Sequence, residues 1–236
     1  HKIVMCGIAG ILRFDGSSVS PEEIKKMTNE MAHRGPDGEG YFVSQNIALG
    51  HRRLSIIDIE TGKQPMTNED KSVWITYNGE LYNYKILRTE LEKKNHIFTT
   101  KSDTEVIVHA YEEWGSDCVK KFRGMFAFGI VDLNAKCFFL ARDQFGIKPL
   151  CYRREKDFFA FASEINPLIN CQDKLPTGNL LAIEFFLRYQ YIPIPLTIYN
   201  EIKKLPPGHF LKCSFSGSTE GPTRYWDLNS DDKNES

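Results

Sequence analysis

The chain has 236 residues, of which 41% are apolar and 26% charged, with a formal net charge of -1. This composition is ordinary for a globular protein, and the near-neutral charge argues against a nucleic-acid partner. No apolar run approaches the ~20 residues that span a bilayer, so no membrane partner is expected. Six widely separated cysteines without a C-x-x-C pair indicate a reduced, cytoplasmic protein.

The first elements in chain order are a strand and a capped helix. Cys6–Leu12 is a short apolar strand candidate. Ser20–Glu23 then combines an N-cap serine, a proline at the first helical position and a glutamate three residues after the cap. Apolar residues follow at helical spacing, which predicts a helix with one buried face. Arg34–Gly38 ends that helix in a rigid loop.

The elements that follow are mostly strands, which favours a layered α+β architecture over a doubly wound parallel sheet. After residue 170, prolines break the sequence into short pieces. The predicted strands are Tyr41–Leu49, Leu54–Ile59, Ser72–Tyr77, Met125–Asp132, Cys137–Arg142 and Phe158–Ala162, and the predicted helices are Tyr84–Lys94 and Asp103–Trp114.

Cys6 is a candidate nucleophile near the start of the chain. A thiol attacks as its thiolate, so it needs a base or a lowered pKa. A cysteine at a mature N-terminus carries its own base, because its α-amine has a pKa of roughly 7.7–8. On residue type alone, however, Cys6 is more simply a buried strand cysteine.

Five motifs that follow one another along the chain support the interpretation of Cys6 as a nucleophile. They are Cys6–Gly10, Arg34–Gly38, His51–Asp58, Tyr77–Asn83 and Lys101–Glu105. Together they resemble the class II glutamine amidotransferase domain of asparagine synthetases. The same family resemblance extends over Gly124–Phe128, Arg142–Leu150, Ala162–Ile165 and Leu205–His209. It implies the four-layer αββα sandwich of N-terminal-nucleophile hydrolases, with two antiparallel sheets between helices.

The resemblance assigns catalytic roles to Cys6, Asn78 and Gly79. Attack of the thiol on an amide builds an oxyanion, which needs preorganised donors worth ~3–4 kcal/mol each. The matching donors are the Asn78 side chain and the Gly79 backbone N–H. The alternative is that this Asn-Gly pair is only a tight turn.

The resemblance also assigns residues to the charged ends of free glutamine. Arg53 matches the position that binds the carboxylate, for which a guanidinium suits two parallel hydrogen bonds. Glu80 and Asp103 match the positions that bind the ammonium group, and Ile57 adds a backbone contact. Glu80 could instead be a solvated surface charge. Asp103 has a second expected role as the N-cap of the helix that begins near Thr104.

No metal or nucleotide is expected in this chain. Glu105 and His109 lie one helical turn apart, but no third ligand follows at a suitable spacing. In the family, ATP and Mg²⁺ belong to a synthetase domain whose serine-glycine-glycine pyrophosphate loop does not occur in this sequence.

The domain prediction follows from these observations. Residues 6–170 form the glutamine amidotransferase domain, and residues 171–228 extend toward a synthetase domain. Residues 1–5 and 229–236 are expected to be a tag, a propeptide or a disordered tail. If residues 1–5 remain, the nitrogen of Cys6 is an amide and cannot act as a base.

Three functions remain open at this point. The first is the glutaminase half of an asparagine synthetase, with glutamine as substrate and an ammonia-accepting synthetase domain as partner. The second is an amidotransferase domain that serves another acceptor. The third is a catalytically silent interaction domain. A homodimer is a further expected partner arrangement.

Overall fold

The computed structural model describes residues 5–54 and 62–228. Its helices are α1 Pro21–Asn29, α2 Tyr84–Glu92, α3 Asp103–Trp114, α4 Cys118–Lys121, α5 Asn166–Ile169 and α6 Leu180–Tyr189. Its strands are β1 Gly7–Arg13, β2 Gly38–Ser44, β3 Ile47–Arg53, β4 Met66–Thr67, β5 Val73–Leu81, β6 Gly124–Asp132, β7 Cys137–Arg142, β8 Cys151–Arg154, β9 Phe158–Ala162, β10 Ile202–Lys204, β11 His209–Ser214 and β12 Thr219–Arg224.

The strands form two antiparallel six-stranded sheets. The first has the order β10-β8-β9-β1-β3-β2, and the second has the order β12-β11-β7-β6-β5-β4. The inner strands of both sheets are hydrophobic on both faces. On β6, for example, Phe126 and Phe128 face the helices while Ala127 and Val131 face the first sheet. Each sheet is therefore covered on both sides.

Three separate hydrophobic clusters fill the spaces between four layers. One lies between α1, α5 and the first sheet, and includes Ile24 and Leu168. The second lies between the two sheets, and includes Ile8 and Phe138. The third lies between the second sheet and the layer of α2 and α3, and includes Ile107. The predicted four-layer αββα sandwich is confirmed.

Several local predictions agree with the structure. Ser20 caps α1, where its hydroxyl accepts from the Glu23 N–H and the Glu23 carboxylate accepts from the Ser20 N–H, as the capping-box pattern predicts. The helix Asp103–Trp114 and the hairpin of β6 and β7 are confirmed. No helix within residues 5–54 and 62–228 is long and apolar enough to cross a bilayer.

The predicted strand Tyr41–Leu49 is wrong. Two antiparallel strands, β2 and β3, occupy this region and meet at a turn that contains Gln45, with φ of +48°. Glutamine rarely adopts a positive φ, so the residue type gave no sign of a turn. The predicted strand Ser72–Tyr77 is too short, since β5 continues through Asn78-Gly79 to Leu81. The prediction for Leu54–Ile59 falls, apart from Leu54, outside the described residues.

The segment after residue 170 contributes to both sheets. Strand β10 pairs with β8 in the first sheet, and β11 pairs with β7 in the second. Helix α6 contributes no residue to the three hydrophobic clusters, and Ala182 is its one buried residue. Its other apolar residues form an exposed surface, called the α6 face here, made of Leu180, Leu181, Ile183, Phe186 and Leu187. The proposed extension toward another domain stays a prediction.

Candidate active site

Cys6 lies directly before β1, at the end of the space between the two sheets. Gly7 is paired with Arg52 and Ile8 with His51 on β3. Side chains alternate along a strand, so Cys6 shares a face with Ile8, and His51 shares a face with Arg53. Ile8 packs between the sheets. Cys6, His51 and Arg53 therefore face the second sheet.

The Cys6 backbone is held by the Arg34–Gly38 loop. The Arg34 Nε donates to the Cys6 carbonyl oxygen at 3.1 Å, and its NH1 donates to the Glu164 carboxylate at 2.9 Å. Gly35 is needed there because a Cβ would lie 2.4 Å from the carbonyl carbon of Arg52. The sequence analysis predicted a rigid loop here. Its contacts show that it positions the backbone of Cys6.

Strand β5 supplies the facing wall. Val73, Ile75 and Tyr77 pack toward the helices. Thr76, Asn78 and Glu80 alternate with these residues, so they face the first sheet. Thr76 bonds to His51 and to the Gly50 carbonyl oxygen, which fixes this face against β3.

Asn78 and Gly79 lie inside β5 and not in a turn. The Asn78 side chain is buried, and its Nδ2 has no hydrogen-bond partner among the described residues. Gly79 is opposite Phe126, and a Cβ on Gly79 would lie 2.3 Å from the Met125 carbonyl oxygen. The tight-turn interpretation of this pair is wrong, because close packing of two backbones explains the glycine.

Asp103 joins α3 to β5. Its Oδ2 accepts hydrogen bonds from the Tyr77 hydroxyl and the Leu81 N–H, both at 2.9 Å. Burial raises the pKa of the Asp103 carboxyl, although these hydrogen bonds oppose the shift. The predicted N-cap role is wrong: Ser102 is the cap and accepts from the Thr104 N–H, so Asp103 is the first helical residue.

One cavity of about 700 Å³ brings most of the predicted residues together. Its lining includes Cys6, Arg53, Asn78, Gly79, Glu80 and Asp103. Ile57 lies outside the described residues. Arg52, which alternates with Arg53 along β3, is not part of this lining, and its NH1 lies 2.7 Å from a Glu39 carboxylate oxygen.

The charge around the thiol favours the thiolate, while burial opposes it. Burial is the larger effect and raises the pKa of the Cys6 thiol. The Leu54 N–H, which donates to Sγ at 3.4 Å, and the charges of Arg53, Lys148 and Arg34 lower that pKa in part. A thiol in this setting needs a base to become a good nucleophile.

The sequence analysis gave no role to several residues of the cavity lining, among them His51, Gln64 and Lys148. The Gln64 Oε1 accepts from the Tyr77 N–H at 2.6 Å, which ties the loop before β4 to β5. The buried Lys148 lies 3.3 Å from the Met5 sulfur, and burial lowers its pKa. His51 and Lys148 both belong to motifs of the family resemblance, but residue type alone gave them no role.

A second cluster of possible metal ligands lies away from this cavity. Ligand atoms of His96, His109 and Glu112 lie within 4.8 Å of one another, so a third group exists that sequence spacing did not show. Glu105 is used otherwise, since Thr99 and Thr100 donate four hydrogen bonds to it. The expectation of no metal stays a prediction.

The residues at the cavity form a chemically coherent set. The lining contains a thiol, a buried amide donor without a hydrogen-bond partner among the described residues, a guanidinium and two carboxylates. Such a set can bind an ammonium and a carboxylate group at once, and can stabilise an oxyanion formed by attack of sulfur.

Comparisons with known proteins agree with this arrangement. Residues 5–226 match the model of a glutamine amidotransferase domain family. The chain is 42% identical over 207 residues to asparagine synthetase [glutamine-hydrolyzing] 1 of Bacillus subtilis, covering 86% of this chain and 33% of that protein. It is 47% identical over 210 residues to asparagine synthetase [glutamine-hydrolyzing] 2 of Arabidopsis thaliana, covering 84% of this chain and 36% of that protein.

A solved structure shows the same fold at low sequence identity. The glutamine phosphoribosylpyrophosphate amidotransferase of Bacillus subtilis superposes with a TM-score of 0.63 at 23% identity, covering 92% of this chain and 49% of that one. This likeness supports the fold alone. The chain spans about a third of the length of the two curated relatives described above.

Proposed function

This chain belongs to the family of glutamine amidotransferase domains, and on that premise we propose that it hydrolyses the side-chain amide of glutamine to glutamate and ammonia. Cys6 is the nucleophile. Its proton passes to a base, the sulfur attacks the amide carbon, and ammonia leaves with that proton. Water then cleaves the thioester, which releases glutamate and restores the thiol.

The observation that carries this proposal is the buried Asn78 Nδ2, which lines the same cavity as the thiol and has no hydrogen-bond partner among the described residues. A buried polar group that lacks a hydrogen bond costs about 1–3 kcal/mol, so a fold keeps one where a ligand completes it. An oxyanion formed by attack of the Cys6 sulfur supplies the missing acceptor. The Gly79 N–H is the second donor of this proposal.

The charges at the cavity support an amino acid as substrate. Arg53 pairs with the α-carboxylate, while Glu80 and Asp103 pair with the α-ammonium group. Ile57 adds a backbone contact. Because Asp103 is held by Tyr77 and Leu81, its position is fixed before the substrate binds.

The base of this mechanism is the α-amine of Cys6. While Cys6 is joined to Met5, its nitrogen is an amide and cannot accept the thiol proton. We therefore infer that the active form has lost the residues before Cys6. The proposed chemistry uses no metal or nucleotide held by this chain.

The partner is a synthetase domain that uses the ammonia to amidate aspartate with ATP and Mg²⁺. The names of the relatives support this acceptor, and the α6 face supports a partner. Leu180 is 81% exposed and Leu187 is 71% exposed on one short helix, and adjoining apolar residues of this kind mark interaction surfaces. The six free cysteines support a reducing, cytoplasmic setting.

The test is a glutaminase assay on protein that begins at Cys6. We expect glutamate release from glutamine, and a loss of at least about a thousandfold for Cys6→Ala. Cys171→Ala is the matched control, because Cys171 is a half-buried thiol whose Sγ contacts the Leu168 carbonyl away from the cavity. Activity that survives Cys6→Ala but not Cys171→Ala would contradict the assignment.

A further inference from the structure

His51 is a buried histidine, and one of its ring nitrogens makes no hydrogen bond to the described residues. The residue is 1% exposed and lines the same cavity as Cys6 and Asn78. The Nδ1 lies 3.2 Å from the Thr76 Oγ1. The Nε2 has no hydrogen-bond partner among the described residues.

The contacts of Thr76 decide which nitrogen of His51 carries the proton. The Thr76 hydroxyl donates its one hydrogen to the Gly50 carbonyl oxygen at 3.1 Å. It can therefore only accept from His51, so the Nδ1 is the protonated nitrogen. The Nε2 then presents a lone pair. Burial, helped by the nearby charge of Arg53, lowers the pKa of His51 to about 3, so the ring is neutral at physiological pH.

The cavity lining thus includes one buried donor and one buried acceptor, Asn78 Nδ2 and His51 Nε2, neither of which has a partner in the part of the chain that the structure describes. A primary carboxamide is the complement of this pair, since its oxygen accepts and its NH₂ group donates. A carboxylate has only acceptors. It would satisfy Asn78 but would leave its second oxygen against the lone pair of His51.

We propose that His51 is a specificity-determining residue that accepts a hydrogen bond from the carboxamide NH₂ of glutamine, so that the site prefers glutamine over its own product, glutamate. This inference rests on the proposed function and adds the means by which the site distinguishes glutamine from glutamate. A site with a buried acceptor rejects an analogue that lacks the matching donor, because the acceptor then stays unpaired. The same mismatch promotes release of glutamate after hydrolysis.

Binding measurements on protein that begins at residue 6 and carries Cys6→Ala test this without turnover. Calorimetry gives the Kd for glutamine and for glutamate, and the readout is their ratio. We expect His51→Leu to lower the preference for glutamine at least about tenfold. His51→Gln keeps an acceptor and should restore most of the preference.

Thr76→Val is a second variant that leaves His51 in place. It removes the acceptor that fixes the tautomer, so the Nε2 can carry the proton and donate to a carboxylate. We expect glutamate to gain affinity relative to glutamine. In the unsubstituted protein, ¹⁵N chemical shifts of the ring should show hydrogen on Nδ1 at neutral pH.

The outcomes separate this inference from the proposed function. If the Cys6→Ala protein binds neither amino acid, the proposed function and this inference are both overturned. If it prefers glutamine and His51→Leu weakens both ligands equally, His51 has only a structural role and this inference alone is overturned. A proton found on Nε2 would also overturn it.

Discussion

Two regions of this molecule depart from the usual pattern of burial, and they do so in opposite ways. At the cavity, polar atoms of His51 and Asn78 are buried without hydrogen-bond partners among the described residues. On the α6 face, apolar side chains such as Leu187 are exposed to water. The three clusters between the layers consist of buried hydrophobic residues.

Both features make the folded state less stable, so each indicates a bound molecule that would compensate for this cost. A small polar molecule satisfies unpaired donors and acceptors, whereas an apolar helix face is satisfied by another protein surface. The difference in chemistry therefore separates a substrate site from an interaction surface on one chain. Substitutions in the two regions should affect different measurements.

The largest expected effect is on catalysis at the cavity. Asn78→Ala removes one oxyanion donor and should lower kcat about 10²–10³-fold, with a smaller rise in KM because the same Nδ2 is proposed to bind the carboxamide oxygen of glutamine. Asn170→Ala is the control, since Asn170 donates to Glu30 away from the cavity. Steady-state glutaminase kinetics measure both. A change in KM alone would assign Asn78 to substrate binding.

The next largest effect is expected on substrate binding, and it compares two arginines on opposite faces of β3. Arg53→Lys keeps the positive charge but loses paired hydrogen bonding to a carboxylate, so KM for glutamine should rise about 10–100-fold. Arg52→Lys is the matched control, because Arg52 faces Glu39 and not the cavity. Equal effects of both changes would contradict the assignment of Arg53 to the carboxylate, and an unchanged KM in Arg53→Lys would show that charge without paired hydrogen bonds is sufficient.

A smaller effect concerns the pH dependence of folding. The pKa of His51 is about 3 in the folded protein, below its ordinary value near 6.5. Between these values only the unfolded chain binds the proton. Stability is therefore lost as the pH falls from 6.5 toward 3, by up to about 1.4 kcal/mol per pH unit.

The measurement is urea unfolding at several pH values. His51→Leu should flatten the slope in this range and leave stability above pH 6.5 independent of that group. A slope equal to that of the unsubstituted protein would mean that His51 is protonated in the folded state.

The smallest effect on the free energy of unfolding is expected at the α6 face. Leu187→Lys should change that free energy by less than about 0.5 kcal/mol, because Leu187 is 71% exposed. It should instead weaken association with a synthetase domain, or self-association, measured by sedimentation. Ile86→Lys on α2 is the control, with equal exposure but without the adjoining apolar residues of the α6 face. Loss of glutaminase activity in Leu187→Lys would contradict the separation of the two regions.

The sequence predicted which residues line the cavity better than it predicted how the fold brings them together. Cys6, Arg53, Asn78, Glu80 and Asp103 were identified from motifs, and the cavity brings them together. Their proximity depends on how β3 faces β5 across two sheets, which residues far apart in sequence determine jointly. Such pairing leaves no local pattern.

The failures have local causes. Asn-Gly is a common turn signal, yet here the missing side chain of Gly79 lets the backbones of β5 and β6 approach each other. Ser102 and Asp103 are both good caps, and only the geometry decides between them. His51 was missed because its role depends on Thr76, 25 residues away in sequence.

Cys6 is held by hydrogen bonds that do not involve Met5. Within the described residues, the Arg34 Nε contacts its carbonyl oxygen and the Leu54 N–H contacts its sulfur. The Met5 sulfur in turn lies 3.3 Å from the Lys148 Nζ. If the chain is cut between Met5 and Cys6, as the proposed mechanism requires, we expect Lys148 and a new α-amine to face the cavity without a shift of the sulfur, so that the proposed chemistry would begin without refolding of the protein.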